Sequence, residues 1–244
     1  SAAVGQLATA TLGQPLDPSL IDLLAARTSG NPLFVEQLAL DLHERGVLTK
    51  GGQSANVSYR EGADALSTDE IPATISAVLL GRLDRLPAEA KTAVQIAAVL
   101  GAEFDMRVLA RLGGTDLQDG VREALAQGIW VSVDHNRFRF GHQLLRDAAY
   151  QMQVEARLTE LHRQAMSAIE QVHGEDLAPH IAKLAQHARC AHEAEREQHY
   201  VALLGKQAFN ISAFDEAIGC FERALTLVRE TSPMRRAELL AQLA

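Results

Sequence analysis

Phe138-Arg139-Phe140-Gly141-His142-Gln143-Leu144-Leu145-Arg146-Asp147-Ala148-Ala149-Tyr150 carries the chain from one kind of secondary structure into another. The alternation Phe-Arg-Phe predicts a short strand and the residues after Gly141 a helix, with His142 at the joint. A histidine there sits among backbone N–H groups that lack intrahelical partners, a polarity that suits phosphate.

Upstream of this joint the apolar spacing predicts helices near 88 to 100, 105 to 112 and 116 to 127. A strand Ile129-Trp130-Val131-Ser132-Val133 and a turn at Asp134-His135-Asn136 follow. Three helices and a two-stranded hairpin make a winged-helix order. Strand alternation puts Ile129, Val131 and Val133 on one face, and Phe138 and Phe140 on one face of the returning strand.

The N-terminal stretch has a turn at Gln14-Pro15-Leu16-Asp17-Pro18 and a short helix from Ser19 to Ala26, with Asp17 or Ser19 as cap. Asn31 and Pro32 have the chemistry of an N-cap and a first helical residue, and Gly46 stops the helix they open. Residues 51–70 form a loop-rich connector, with Val47-Leu48 and Val57-Ser58-Tyr59 able to pair as a hairpin. Ile71-Pro72 then starts a helix that ends at Leu86-Pro87.

Beyond Tyr150 only helical periodicity remains, near 155 to 172, 177 to 190, 192 to 210, 213 to 230 and 234 to 243. Short links between such helices predict antiparallel hairpins. Leu204-Gly205, Ala217, Phe221 and Ala224 follow the spacing of a tetratricopeptide (TPR) unit. Ala208 stands where that unit usually has an aromatic residue, and Pro233 falls a few residues late for its closing proline. The fold class expected is mainly α: helical modules, a winged helix with a small β-hairpin over 71–153, and TPR-like hairpins over 154–244.

The chain has 244 residues, a formal net charge of −8, and Cys190 and Cys220 as its only cysteines. That charge opposes broad affinity for nucleic acid or anionic lipid. Two cysteines inside helical patterns argue against a disulfide framework and for reduced cytoplasm. No apolar run approaches the roughly 20 residues of a membrane span, and the expectation is a soluble fragment of a longer chain.

The third winged-helix helix carries Asp116, Asp119 and Glu123 against Arg122, the wrong sign for phosphate contact, so direct DNA binding is the weaker reading. His187, Cys190 and His192, with His180 upstream, cannot close a tetrahedral metal site from one helix, because residue 192 leaves the face that 187 and 190 share. The chain contains no G-x-x-x-x-G-K-[ST] phosphate loop and no nucleophile motif, so no catalytic residues and no enzyme activity are expected of this segment.

The order Gly30-Asn31-Pro32-Leu33, the Ile71-Pro72 helix with Leu80-Gly81-Arg82-Leu83-Asp84-Arg85-Leu86-Pro87, and Phe138 to Tyr150 resembles the C-terminal half of a STAND-type signalling ATPase. It is most similar to the bacterial branch joined to a nucleotide cyclase or a LuxR-type regulator. The resemblance implies that residues 1–50 are a helical lid whose Pro32 packs against adenine, and that His142 reaches the β-phosphate of ADP. The family's residue after that histidine is often aspartate, where this chain has Gln143. ATP or ADP, with Mg, would be held by an upstream NTPase core, and a protein partner or inducer by the helical repeats in signal transduction or transcription control. Homo-oligomerisation stays open, as does a helical scaffold that binds protein partners without nucleotide.

Overall fold

The computed structural model describes residues 2–50, 57–59, 72–114, 117–174, 176–228 and 240–241. The fold is mainly α, and the chain divides into two compact units, Ser1–Leu86 and Pro87–Ala244.

In the first unit, α1 (Ala2–Leu12), α2 (Pro18–Thr28) and α3 (Pro32–Glu44) bury Ala8, Leu20, Leu24, Val35, Leu38 and Leu42 against one another. Asp17 is the N-cap residue of α2, although its side chain makes no capping bond. Two successive left-handed residues, Ser29 (φ 49°) and Gly30 (φ 75°), reverse the chain between α2 and α3. β1 (Leu48–Lys50) and β2 (Val57–Tyr59) pair antiparallel. β2 is held to the turn before α2 by Val57 N–H to Pro15 C=O (2.7 Å) and Asp17 N–H to Val57 C=O (3.0 Å). The rest of the expected connector lies outside the described residues.

The next helix, α4 (Ile75–Asp84), begins later than Pro72, because Thr74 Oγ1 accepts the Ala77 N–H (3.2 Å) and sets the N-cap there. α4 packs on α3 through buried charge. Arg82, only 2% exposed, donates from Nε to both carboxylate oxygens of Glu44 (3.1 Å each), from Nη2 to Glu44 Oε1 (2.6 Å), and from Nη1 to Gln37 Oε1. Arg85 pairs with the buried Asp41. The division between the compact units therefore falls at Leu86–Pro87, and the helix expected to open the winged-helix domain at residue 71 belongs with the first unit.

The second unit opens with α5 (Ala88–Leu100), β3 (Glu103–Asp105), α6 (Met106–Gly113), α7 (Gln118–Ala126), β4 (Trp130–Ser132), β5 (Arg137–Phe140) and α8 (Gln143–Gln151). The strands form an antiparallel sheet in the order β3-β5-β4. This is the winged-helix order with a third strand, β3, too short to show alternation in sequence. The inward strand face also differs from expectation: Trp130 is 2% exposed, whereas Val131 and Val133 are 41% and 43% exposed. The cause is the turn before β4. Gly128 (φ 66°) lets the Ile129 N–H close on the Ala124 carbonyl (2.9 Å), so Ile129 is buried as part of the helix end and strand parity starts at Trp130. Trp130 then faces Phe140 in register at a ring separation of 6.2 Å, and the two pack with Phe104 at 5.1 and 6.0 Å.

After α8 come α9 (Glu155–His173), a 3₁₀ turn at Ala178–His180, α10 (Ile181–Cys190), α11 (Ala194–Asn210) and α12 (Phe214–Leu227). Successive helices pack as neighbours. A Cβ on Gly205 of α11 would stand 2.7 Å from the Phe221 ring of α12, so the two backbones approach closely where the sequence supplies a glycine. The helix expected over 234 to 243 lies outside the described residues, apart from Leu240 and Ala241.

Two stability outcomes follow from these seams. Arg82→Ala leaves the buried Gln37 without its partner and removes the ion pair to Glu44, and should cost about 1–3 kcal/mol, read as faster hydrogen exchange in α3 and α4. Gly205→Val forces α11 and α12 apart and should cost about 1–3 kcal/mol in denaturant unfolding.

Candidate functional site

The joint between β5 and α8 is fixed by a close backbone approach. The Gly141 N–H donates to the Ile129 carbonyl (2.8 Å), and a Cβ at Gly141 would lie 2.7 Å from the Gly128 carbonyl oxygen. His142 follows with extended backbone (φ −146°, ψ 144°) as the N-cap of α8, and its Nδ1 accepts the Leu144 N–H at 3.2 Å. A neutral imidazole that accepts at Nδ1 carries its proton on Nε2. The half-buried ring thus presents an N–H donor, for which the described residues provide no acceptor. The first turn of α8 holds no acidic residue, so the helix dipole and the imidazole share one polarity, suited to an anion.

Pro32 occupies the first turn of α3. Asn31 Oδ1 accepts the Phe34 N–H (3.3 Å) and caps the helix, and the proline ring is exposed. Pro32 belongs to the first compact unit and His142 to the second. Each is held by caps local to its own unit.

No family model matches the chain. The chain is similar to the uncharacterized protein R02095 of Rhizobium meliloti (strain 1021), at 25% identity over 237 residues covering 93% of this chain and 22% of that protein. The chain thus spans about a fifth of the length of the relative it matches. No helix among the described residues is long and apolar enough to cross a membrane.

The other constellations resolve into packing. His187 is buried (4% exposed), and its Nδ1 lies 2.7 Å from Nδ1 of His162 on α9, whose Nε2 is 2.9 Å from the Tyr150 hydroxyl at the end of α8. His180 stacks on His173 at 3.7 Å, and His192 is exposed in a left-handed turn (φ 57°). Burial pushes the half-buried Cys190 thiol up in pKa. No group of three or more His, Cys, Asp or Glu is placed to hold a metal among the described residues. On α7, Asp119 pairs with Arg122 (3.0 Å), and Gly120 abuts the Glu89 carbonyl. Asp116 lies outside the described residues.

The Tyr150–His162–His187 cluster was missed in the sequence because a histidine counts there as polar. The available signal was His162 in register with Leu161, Ala165, Met166 and Ile169 on the buried stripe of α9. Burial, reinforced by Arg146, lowers the His162 pKa to about 4. Burial, with His162 and Lys183, lowers that of His187 to about 3. The unfolded chain therefore binds protons near pH 6.5 that the folded chain refuses, so stability is full above that pH and falls on acidification towards pH 4. Trp130 fluorescence during denaturant unfolding between pH 7 and 5 should show this slope, and His187→Leu should flatten it.

Proposed function

We propose that this chain is a regulatory, nucleotide-sensing and protein-interaction segment of a multidomain STAND-type signalling ATPase, acting in signal transduction or transcription control. The observation that carries this reading is His142 at the acid-free N-terminus of α8, where its Nδ1 accepts the Leu144 N–H and leaves Nε2 to act as a donor. A β-phosphate oxygen of ADP is an acceptor of matching chemistry. The exposed Pro32 ring at the start of α3 is accessible to an adenine face, in keeping with the lid role. ATP or ADP and Mg would be held by the NTPase core of the same protein, with a nucleotide cyclase or a LuxR-type domain as output. The relative's much greater length fits membership of a larger protein. In this reading the chain does no chemistry itself and works in the cytoplasm.

A scaffold that binds protein partners without nucleotide has its own support. Phe209, Ile211, Phe214 and Ile218 are exposed around the α11–α12 turn, Ile211 at 76%. Isolated apolar residues are ordinary on surfaces, whereas a cluster of this kind favours protein contact. Direct DNA binding is disfavoured by the paired charges of α7.

The readings separate in a protein that includes the ATPase core. His142→Ala should weaken ADP binding about 10- to 150-fold, the worth of one hydrogen bond to a charged group, and leave ATP binding nearly unchanged in calorimetric titration. Unchanged ADP affinity would leave the scaffold reading in place.

A further inference from the structure

Tyr150, His162 and His187 lie on three successive helices, α8, α9 and α10, and each touches the next through a single heavy-atom contact of hydrogen-bond length, 2.9 Å and then 2.7 Å. Both imidazoles are buried. Each contact needs one proton between two acceptors, and this allows two arrangements. In one, the Tyr150 hydroxyl donates to His162 Nε2, and His162 Nδ1–H donates to His187 Nδ1. In the other, His187 Nδ1–H donates to His162 Nδ1, and His162 Nε2–H donates to the Tyr150 oxygen. Both use neutral rings, and a tautomer change at either histidine alone breaks the chain. The charged or ionisable groups acting on it are Arg146 from α8 and Lys183 and Cys190 from α10.

The two ends of this chain are placed differently. α8 carries His142 at its start and Tyr150 in its last turn, so any movement at the strand–helix joint displaces the phenol. α10 carries His187 on its buried side, while Ala182, Gln186 and Arg189 of the same helix line a groove of about 550 Å³ shared with α11 and α12. Helices of this length move as rigid bodies, so the buried contact and the groove wall shift together.

We infer that the Tyr150–His162–His187 chain couples α8 to α10, so that displacement of α8 at its His142 end reshapes the groove between α10, α11 and α12. That nucleotide supplies the displacement rests on the proposed function; the coupling does not.

The test uses the chain itself. Long-range ¹H–¹⁵N spectra of ¹⁵N-histidine-labelled protein at pH 7 should show exactly one proton shared by the His162 and His187 Nδ1 atoms. Finding both rings protonated at Nε2, or both at Nδ1, would overturn the chain. Tyr150→Phe, with hydrogen exchange read by mass spectrometry, should speed exchange about tenfold in α10 as well as in α8, the worth of one buried hydrogen bond, with β4, β5 and α12 unaltered. Faster exchange confined to α8, or raised uniformly over 87–228, would remove the coupling. Neither measurement involves nucleotide, so a negative ADP result for His142→Ala leaves this inference standing, and its own failure leaves ADP binding untouched.

Discussion

The approach of Gly141 to Gly128 is the constraint on which the second unit's geometry depends. The end of β5 passes so close to the α7–β4 turn that a Cβ at Gly141 would stand 2.7 Å from the Gly128 carbonyl oxygen. On one side of this crossing, Trp130, Phe140 and Phe104 pack edge to face and hold the sheet. On the other, the chain enters α8 with its cap already made. His142 therefore inherits its position from backbone contacts between glycines, and its ring needs only the Leu144 N–H to fix which nitrogen bears the proton. A donor set this way loses little entropy when it meets an acceptor, which is where preorganised sites gain their affinity.

The helix seams share a second device. Arg82 lies between α3 and α4, Glu197 of α11 holds Arg189 of α10 and Arg223 of α12, and His162 lies between Tyr150 and His187. Apolar helix faces built from Ala, Leu and Val slide with little penalty, because one small side chain replaces another. A buried polar group has partners at one register alone, and any slip leaves it unsatisfied. Removing one partner of such a group is costly even where the pair itself adds little net stability, so each one penalises a slipped register. The pairing also explains why the Leu80–Pro87 stretch is rich in arginine: Arg82 and Arg85 meet Glu44, Gln37 and Asp41 of α3.

Strong periodicity and cap chemistry made most helices legible in the sequence. Asn31-Pro32 and Gly46 bracket α3, and the apolar spacing around Ala217, Phe221 and Ala224 marks α12. What stayed hidden has physical causes. β3 has three residues, too few for a period, and is a strand only because β5 pairs with it. The inward face of β4 depends on the backbone twist at Gly128, which decides whether Ile129 counts as helix end or strand start. The helix after Pro72 waits for Thr74 because the side-chain cap, not the proline, sets its start. The burial of Arg82 and His187 has one cause that the sequence does not display: their partners, Glu44 and Gln37 for Arg82 and His162 for His187, come from other helices. The places of Pro32 and His142 at helix starts could be read from the sequence, whereas the exposure of the Pro32 ring and the Leu144 N–H accepted by His142 Nδ1 are visible only in three dimensions.

The separation of Pro32 and His142 into two compact units bears on how the proposed switch would work. Each residue is already fixed by bonds inside its own unit, so on the proposed reading nucleotide would have no loop to order at either place. On that reading, the free energy that distinguishes ADP from ATP has to act on the arrangement of units around the core, by making or losing the His142 contact. One charge-assisted hydrogen bond of about 1.5–3 kcal/mol shifts a two-state equilibrium roughly 10- to 150-fold. That suffices for a switch poised near balance and fails for one held strongly to either side. On the proposed reading, a single contact of that size would switch the parent protein only where its closed and open forms differed by a few kcal/mol without nucleotide.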